Sequence, residues 1–149
     1  MRKKKSIVSL IILIFLACIG LFLYRDFYST GRRMYSKHWG ITVPRDFKTQ
    51  YYITSFGMGA HDGESYEIFT SQTQYQQENE CLTKEMSSEK DMGMQNEVIT
   101  ILKSLKVNTE EYPTFSNDFQ WKILISGNNR LYILHDSQSL SWYVVQFVL

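Results

Sequence analysis

The sequence predicts an α+β fold: an N-terminal transmembrane helix followed by a small antiparallel sheet with one helix packed on it. Three observations predict it. Residues 6–24, SIVSLIILIFLACIGLFLY, carry no charge. Apolar residues at helical spacing mark one helix over residues 94–105. Apolar-polar alternation, punctuated by Asp-Gly and Gly-Asn turns, marks strands on both sides of that helix.

The chain opens with Arg2, Lys3, Lys4 and Lys5. At ~1.5 Å per helical residue, residues 6–24 span roughly 28 Å, close to the ~30 Å hydrocarbon core of a bilayer. A cleaved signal peptide has an apolar core of only about 7–15 residues and a small-x-small site, and neither fits here. A lipoprotein would turn polar after Cys18, whereas this chain continues as IGLFLY. The expectation is an uncleaved anchor over residues 6–24. The basic residues 1–5 are contiguous and abut the span, which places them in the cytoplasm and the C-terminal domain outside it. Arg25, Arg32, Arg33 and Lys37 follow the span and reduce that charge contrast. Tyr24, Phe27 and Tyr28 suit an interfacial belt. Residues 25–40, polar with interspersed aromatics, read as a stalk with His38 on its surface, and residues 41–149 read as the extracytoplasmic domain.

Within that domain, GITVP gives a short extended run that Pro44 stops, and residues 40–43 are a candidate extra strand. Residues 51–56 and 64–70 read as a hairpin around Asp62-Gly63. The polar residues 71–80 follow as loop or helix. Met94, Val98, Ile101, Leu102 and Leu105 then share one helical face, ending near Val107. Gly93 argues against a smooth start as early as Thr83. In residues 119–126, Phe119, Trp121, Ile123 and Ile125 alternate with Gln120 and Lys122. The turn at residues 127–129 returns the chain as residues 130–136, and residues 140–149 form the last strand. An end as apolar as residues 144–149 requires docking in the sheet. The order is therefore hairpin, helix, three-stranded meander.

Composition bounds the function. With 149 residues, 44% hydrophobic and 21% charged, the chain holds one domain beyond its anchor. The formal charge is +1, but from residue 31 onward 11 Lys/Arg face 14 Asp/Glu. The cations there are scattered, so a nucleic-acid partner is set aside. Cys18 lies in the apolar run and Cys81 far along the domain. They form no intramolecular pair and no metal-binding spacing, and acidic neighbours make Cys81 a plain thiol.

The densest chemistry lies in TSFGMGAHDGESYEIF, residues 54–69. Its glycines 57, 59 and 63 lack the helix that a phosphate cradle needs, because a strand follows. His61, Asp62 and Glu64, joined by His135 and Asp136 from the end of a strand, are the candidate metal ligands, able to hold Zn²⁺ or a harder cation if the sheet brings them to one rim. The competing reading is turn chemistry, which uses the same residue types.

The run GITVPRDFKTQYYITSFGMGAHDGESYEIF resembles a motif, HGGFHGDGE-x-Y, of uncharacterised small single-pass membrane proteins of Gram-positive bacteria. FQWKILISGNNRLYILHDSQ resembles their second block, F-x-L-x-I…LY-x-x-x-D. Ser55-Phe56 stand at the motif's first His-Gly, and His61-Asp62-Gly63 at the second His-Gly-Asp-Gly, one glycine short. The resemblance implies a membrane anchor and a topology, and no activity. The functional expectation is a membrane-anchored extracytoplasmic binding or interaction module with a protein partner at the cell surface and no cofactor. The alternatives are a small metal-dependent hydrolase and an accessory subunit of a larger membrane protein.

Overall fold

The computed structural model describes residues 2–56, 62–71, 82, 85–115 and 118–149, with side chains in the first helix described for residues 12–21 and 31–39. Helix α1 runs over Arg2–Trp39, and strands β1 (Lys48–Thr54) and β2 (Gly63–Thr70) follow. Helix α2 (Met92–Ser104), a 3₁₀ turn (Thr109–Glu111) and strands β3 (Phe119–Ser126), β4 (Asn129–Asp136) and β5 (Ser141–Val148) complete the chain. The fold is α+β, as the sequence predicts. Among the described residues no helix is long and apolar enough to cross a membrane. The expected span over residues 6–24 lies partly outside the described side chains, and its described part, residues 12–21, is exposed.

The five strands form one antiparallel sheet in the order β1-β2-β5-β4-β3. The C-terminal strand β5 is therefore central, which explains its apolar run. Ser65 pairs with Gln146 and Glu67 with Val144 across β2 and β5, while Tyr132 pairs with Val145 across β4 and β5. The first hairpin starts three residues earlier than expected, at Lys48, and carries a bulge between Thr49 and Tyr51. Gly63 opens β2 at φ +148, and a Cβ there would meet Ser55 Oγ at 3.1 Å and the Phe56 backbone nitrogen at 3.2 Å. Gly57, Gly59 and His61 lie outside the described residues, as do Cys81 and all of the polar stretch 71–80 except Ser71.

Helix α2 starts where Asp91 accepts hydrogen bonds from the Gly93 and Met94 amides at 2.8 and 3.0 Å. That cap answers the question Gly93 raised: the glycine sits in the first turn, where the orphan N–H groups need a side-chain acceptor. The helix ends in a Schellman arrangement, with Val107 N–H donating to Leu102 O and Lys106 N–H to Lys103 O. Lys106 takes the left-handed position at φ 57 that glycine usually fills. Met94, Val98, Ile101, Leu102 and Leu105 then pack on Tyr66, Ile68, Tyr132, Leu134, Tyr143 and Val145 of the sheet.

The opposite face of the sheet has its own cover, which the sequence reading did not assign. Residues 31–39 of the expected stalk are the last turns of α1, and Tyr35 there is fully buried. Tyr35 joins Ile41, Val43 and Phe47 over Phe69, Leu131, Ile133, Trp142 and Val144. Gly40, at φ +65, ends α1. Residues 40–43 form no strand. Arg32 donates to the carbonyls of Pro44 and Phe47, so this segment is held by a side chain rather than by a ladder, and Pro44 has no N–H to offer a neighbour. The molecule therefore has three layers, with the sheet between α2 and the end of α1.

Candidate functional site

The sheet register separates the metal candidates. Glu64 pairs with Phe147, and Phe147 with Arg130 at the start of β4. His135 and Asp136 stand at the far end of β4, opposite Trp142 and Ser141. Five residue steps along the strand, roughly 17 Å at ~3.3 Å each, separate Arg130 from His135, so Asp62 and Glu64 are at one end of the sheet and His135 and Asp136 at the other. Among the described residues no group of three or more His, Cys, Asp or Glu could hold a metal ion.

Asp136 is buried and works as a turn residue, its Oδ1 accepting from Gln138 N–H at 2.9 Å and its Oδ2 from the Ser139 hydroxyl at 2.8 Å. His135 stacks on Trp142, with ring centroids 4.1 Å apart and planes 20° from parallel. Burial lowers its pKa, which the neighbouring Asp136 partly offsets. The exposed Asp62 precedes β2, and Glu64 ties the hairpin by its backbone, accepting from Ser55 N–H at 2.8 Å.

The polar side chains that the fold does gather lie under α1. On the α1 face of β2 and β5, Ser65, Glu67 and Gln146 are at most 4% exposed. Glu67 Oε1 accepts from the Thr49 hydroxyl at 2.9 Å. Its Oε2 and the Tyr35 hydroxyl are both buried without a well-formed hydrogen bond, although the phenol stands near enough to act on the carboxyl. Gly31 lets the helix come this close, since a Cβ there would lie 2.4 Å from Glu67 Oε2. Burial raises the Glu67 pKa to about 6, against the lowering effects of Thr49, Tyr35 and Arg32. Burial also pushes Tyr35 well above the usual phenol range. Arg32 lies 5.3 Å over the Phe69 ring.

Where α1 ends, a cleft of about 370 Å³ opens between its last turn and the end of the sheet. Met34, His38 and Trp39 of α1 face Phe56, Asn129 and Gln146 across it. The buried Gln146 amide lies 3.5 Å from Ser65 Oγ, so the floor of the cleft continues into the polar seam beneath α1. These groups are aromatic, thioether, amide and imidazole, and Ser126, Val148 and Leu149 complete the described lining. The sequence held one signal for this site, a glycine inside a helical run at residue 31. The polar positions 65, 67 and 146 gave none, because alternation in a strand looks the same whether the polar face meets solvent or a second layer.

No protein-family model, no curated protein and no solved structure matches the chain.

Proposed function

We propose that the chain is a membrane-anchored extracytoplasmic binding module whose ligand site is the cleft at the end of α1. The observation that carries this reading is the cleft itself. Its volume falls in the usual range for small-ligand sites, and its lining mixes aromatic and thioether groups with convergent amide and hydroxyl groups. The ligand it suits is small, with one apolar face and amide or hydroxyl groups opposite Asn129 and Gln146. The anchor is supported by the uncharged residues 6–24 and by the continuity of α1, which hands the chain from that run to the sheet without a break. The metal-dependent hydrolase is the weaker alternative, because Glu64 and His135 stand at opposite ends of the sheet.

Two measurements test this reading. A reporter active only outside the cytoplasm, fused after Leu149, is expected to be active, with full-length protein in the membrane fraction. A silent reporter inverts the topology, and a mature chain starting at lipidated Cys18 replaces the anchor by a lipoprotein. For the cleft, full-length protein in micelles is titrated with millimolar N-acetylated amino sugars and followed by the Trp39 indole and the Asn129 and Gln146 amide resonances. Saturable shifts confined to these groups, abolished by Asn129→Leu, are expected. Flat titrations sink this ligand class.

A further inference from the structure

We infer that the end of α1 is a reversible latch on the sheet, closed while Glu67 is protonated and loosened when it ionises. The inference goes beyond the binding reading and stands even if the cleft takes no ligand. It begins with the geometry of the seam. Glu67 is 4% exposed, and what covers it is the Gly31 turn of α1 together with Tyr35. Among the described residues its one well-formed side-chain bond is from Thr49, which belongs to the sheet and would remain if α1 moved.

Among the described residues no ion pair neutralises the carboxylate. Arg32, the cation that acts on it, directs its guanidinium to the carbonyls of Pro44 and Phe47 and to the Phe69 ring. The remaining titratable neighbours among the described residues are Tyr35 from α1 and Tyr52 from β1, both phenols with raised pKa values. Arg45 and Asp46, in the segment after α1, are exposed. Across β5 the partner residues are Val144 and Gln146, which do not titrate. A charge in this seam is therefore buried and incompletely paired, a costly state that a protein relieves by neutralising the group or by exposing it.

Lifting α1 exposes the group. The sheet keeps its ladder and its α2 layer, while Glu67 regains water. The sign follows from the raised pKa. The docked form binds the proton more tightly, so docking is strongest below the ordinary carboxyl pKa of 4.5 and weakens as pH rises through about 6. The difference of about 1.5 pH units corresponds to about a 30-fold change in the docking equilibrium. Met34, His38 and Trp39 ride on the same turns, so the cleft would loosen with the latch.

The test reads access to the sheet beneath α1. In full-length protein with Cys18→Ser and Cys81→Ser, a Ser65→Cys thiol is labelled with a pyridyl disulfide at pH 4.5 and 7.5, each rate normalised to that of the unfolded chain. The normalised rate is expected to rise about 15-fold between these two pH values, half of the full change because the undocked carboxyl is already half ionised at pH 4.5, and to change less than threefold once Glu67→Gln is added. A Val98→Cys thiol under α2 is expected to stay flat in both backgrounds. A flat response at position 65, an equal rise with Glu67→Gln, or a matching rise at position 98 overturns the latch. Carbon-13 titration of the Glu67 carboxyl in the unaltered chain checks it without substitution, and a midpoint near 4.5 also overturns it. None of these readouts involves the cleft ligand, so failure of the latch and failure of the binding reading are distinguishable.

Discussion

The two faces of the sheet are built on different terms. Against α2 the buried surface is apolar, and its phenols find partners: the Tyr66 hydroxyl donates to Glu111 O and the Tyr132 hydroxyl to Glu97 at 2.6 Å. Against α1 the sheet presents Ser65, Glu67 and Gln146. Among the described residues, the buried side-chain atoms without a hydrogen-bond partner, on Tyr35, Trp39, Glu67 and Trp142, belong to this α1 side. Both faces exclude water, yet only one satisfies what it buries. Unsatisfied buried groups cost about 1–3 kcal/mol each, so the α2 layer holds the fold together and the α1 layer sits on it at a smaller margin.

The largest expected effect tests the stronger face. Leu102 is fully buried between α2 and the sheet, and Leu102→Ala removes three carbons from a closely packed layer. A loss of about 3 kcal/mol in urea melts is expected, the middle of the range for such truncations. A loss under 1 kcal/mol would mean that the α2 layer is not the foundation of the fold.

This difference between faces also explains what the sequence could tell. The α2 face was legible because Met94, Val98, Ile101, Leu102 and Leu105 repeat at helical spacing and their sheet partners alternate. The three strands after the helix were legible for the same reason, with turns read at Gly127 and at residues 137–139; the second turn extends one residue further, so β5 starts at Ser141 rather than at Leu140. The α1 face was not. Its cover is divided between a helix end and an irregular segment, so Tyr35, Ile41, Val43 and Phe47 share no period. The site failed for a related reason. His61, Asp62, Glu64, His135 and Asp136 are near one another only if β2 and β4 meet end to start. The insertion of β5 between them runs β2 and β4 in the same direction and sets Glu64 and His135 apart. Strand order depends on which surfaces bury best together, and a single sequence does not display it.

A middle-sized effect probes the seam. Gly31→Ala improves intrinsic helix propensity by about 1 kcal/mol, so a helix free in solvent would gain from it. Here the new Cβ would meet Glu67 Oε2 at 2.4 Å, and the carboxyl cannot swing away freely while Thr49 and the buried seam hold it. Overpacking of this kind costs about 1–3 kcal/mol, leaving a net loss of up to about 2 kcal/mol. In a Glu67→Ala background the same substitution is expected to become neutral or stabilising, because the obstructing group is gone and the two sites are in contact. Equal losses in both backgrounds would show that α1 does not press on Glu67.

The smallest effects compare the faces atom for atom, through two buried tyrosines that each lose only a hydroxyl. Tyr66→Phe on the α2 face breaks the bond to Glu111 O and leaves that carbonyl short of a donor. It is expected to cost about 1 kcal/mol, the typical worth of such a bond. Tyr35→Phe on the α1 face removes a hydroxyl that is fully buried yet makes no well-formed bond. The desolvation that hydroxyl suffers on folding disappears with it, so stability is expected to stay within about 0.5 kcal/mol of the parent or to rise. The comparison is cleanest near pH 4.5, where Glu67 is protonated and the loss of the phenol from beside it leaves no buried charge exposed to the change. If Tyr35→Phe proved the costlier of the two there, its hydroxyl would be bonded in solution. The α1 layer would then be as fully satisfied as the α2 layer, and the asymmetry that makes α1 the releasable side of the sheet would be lost.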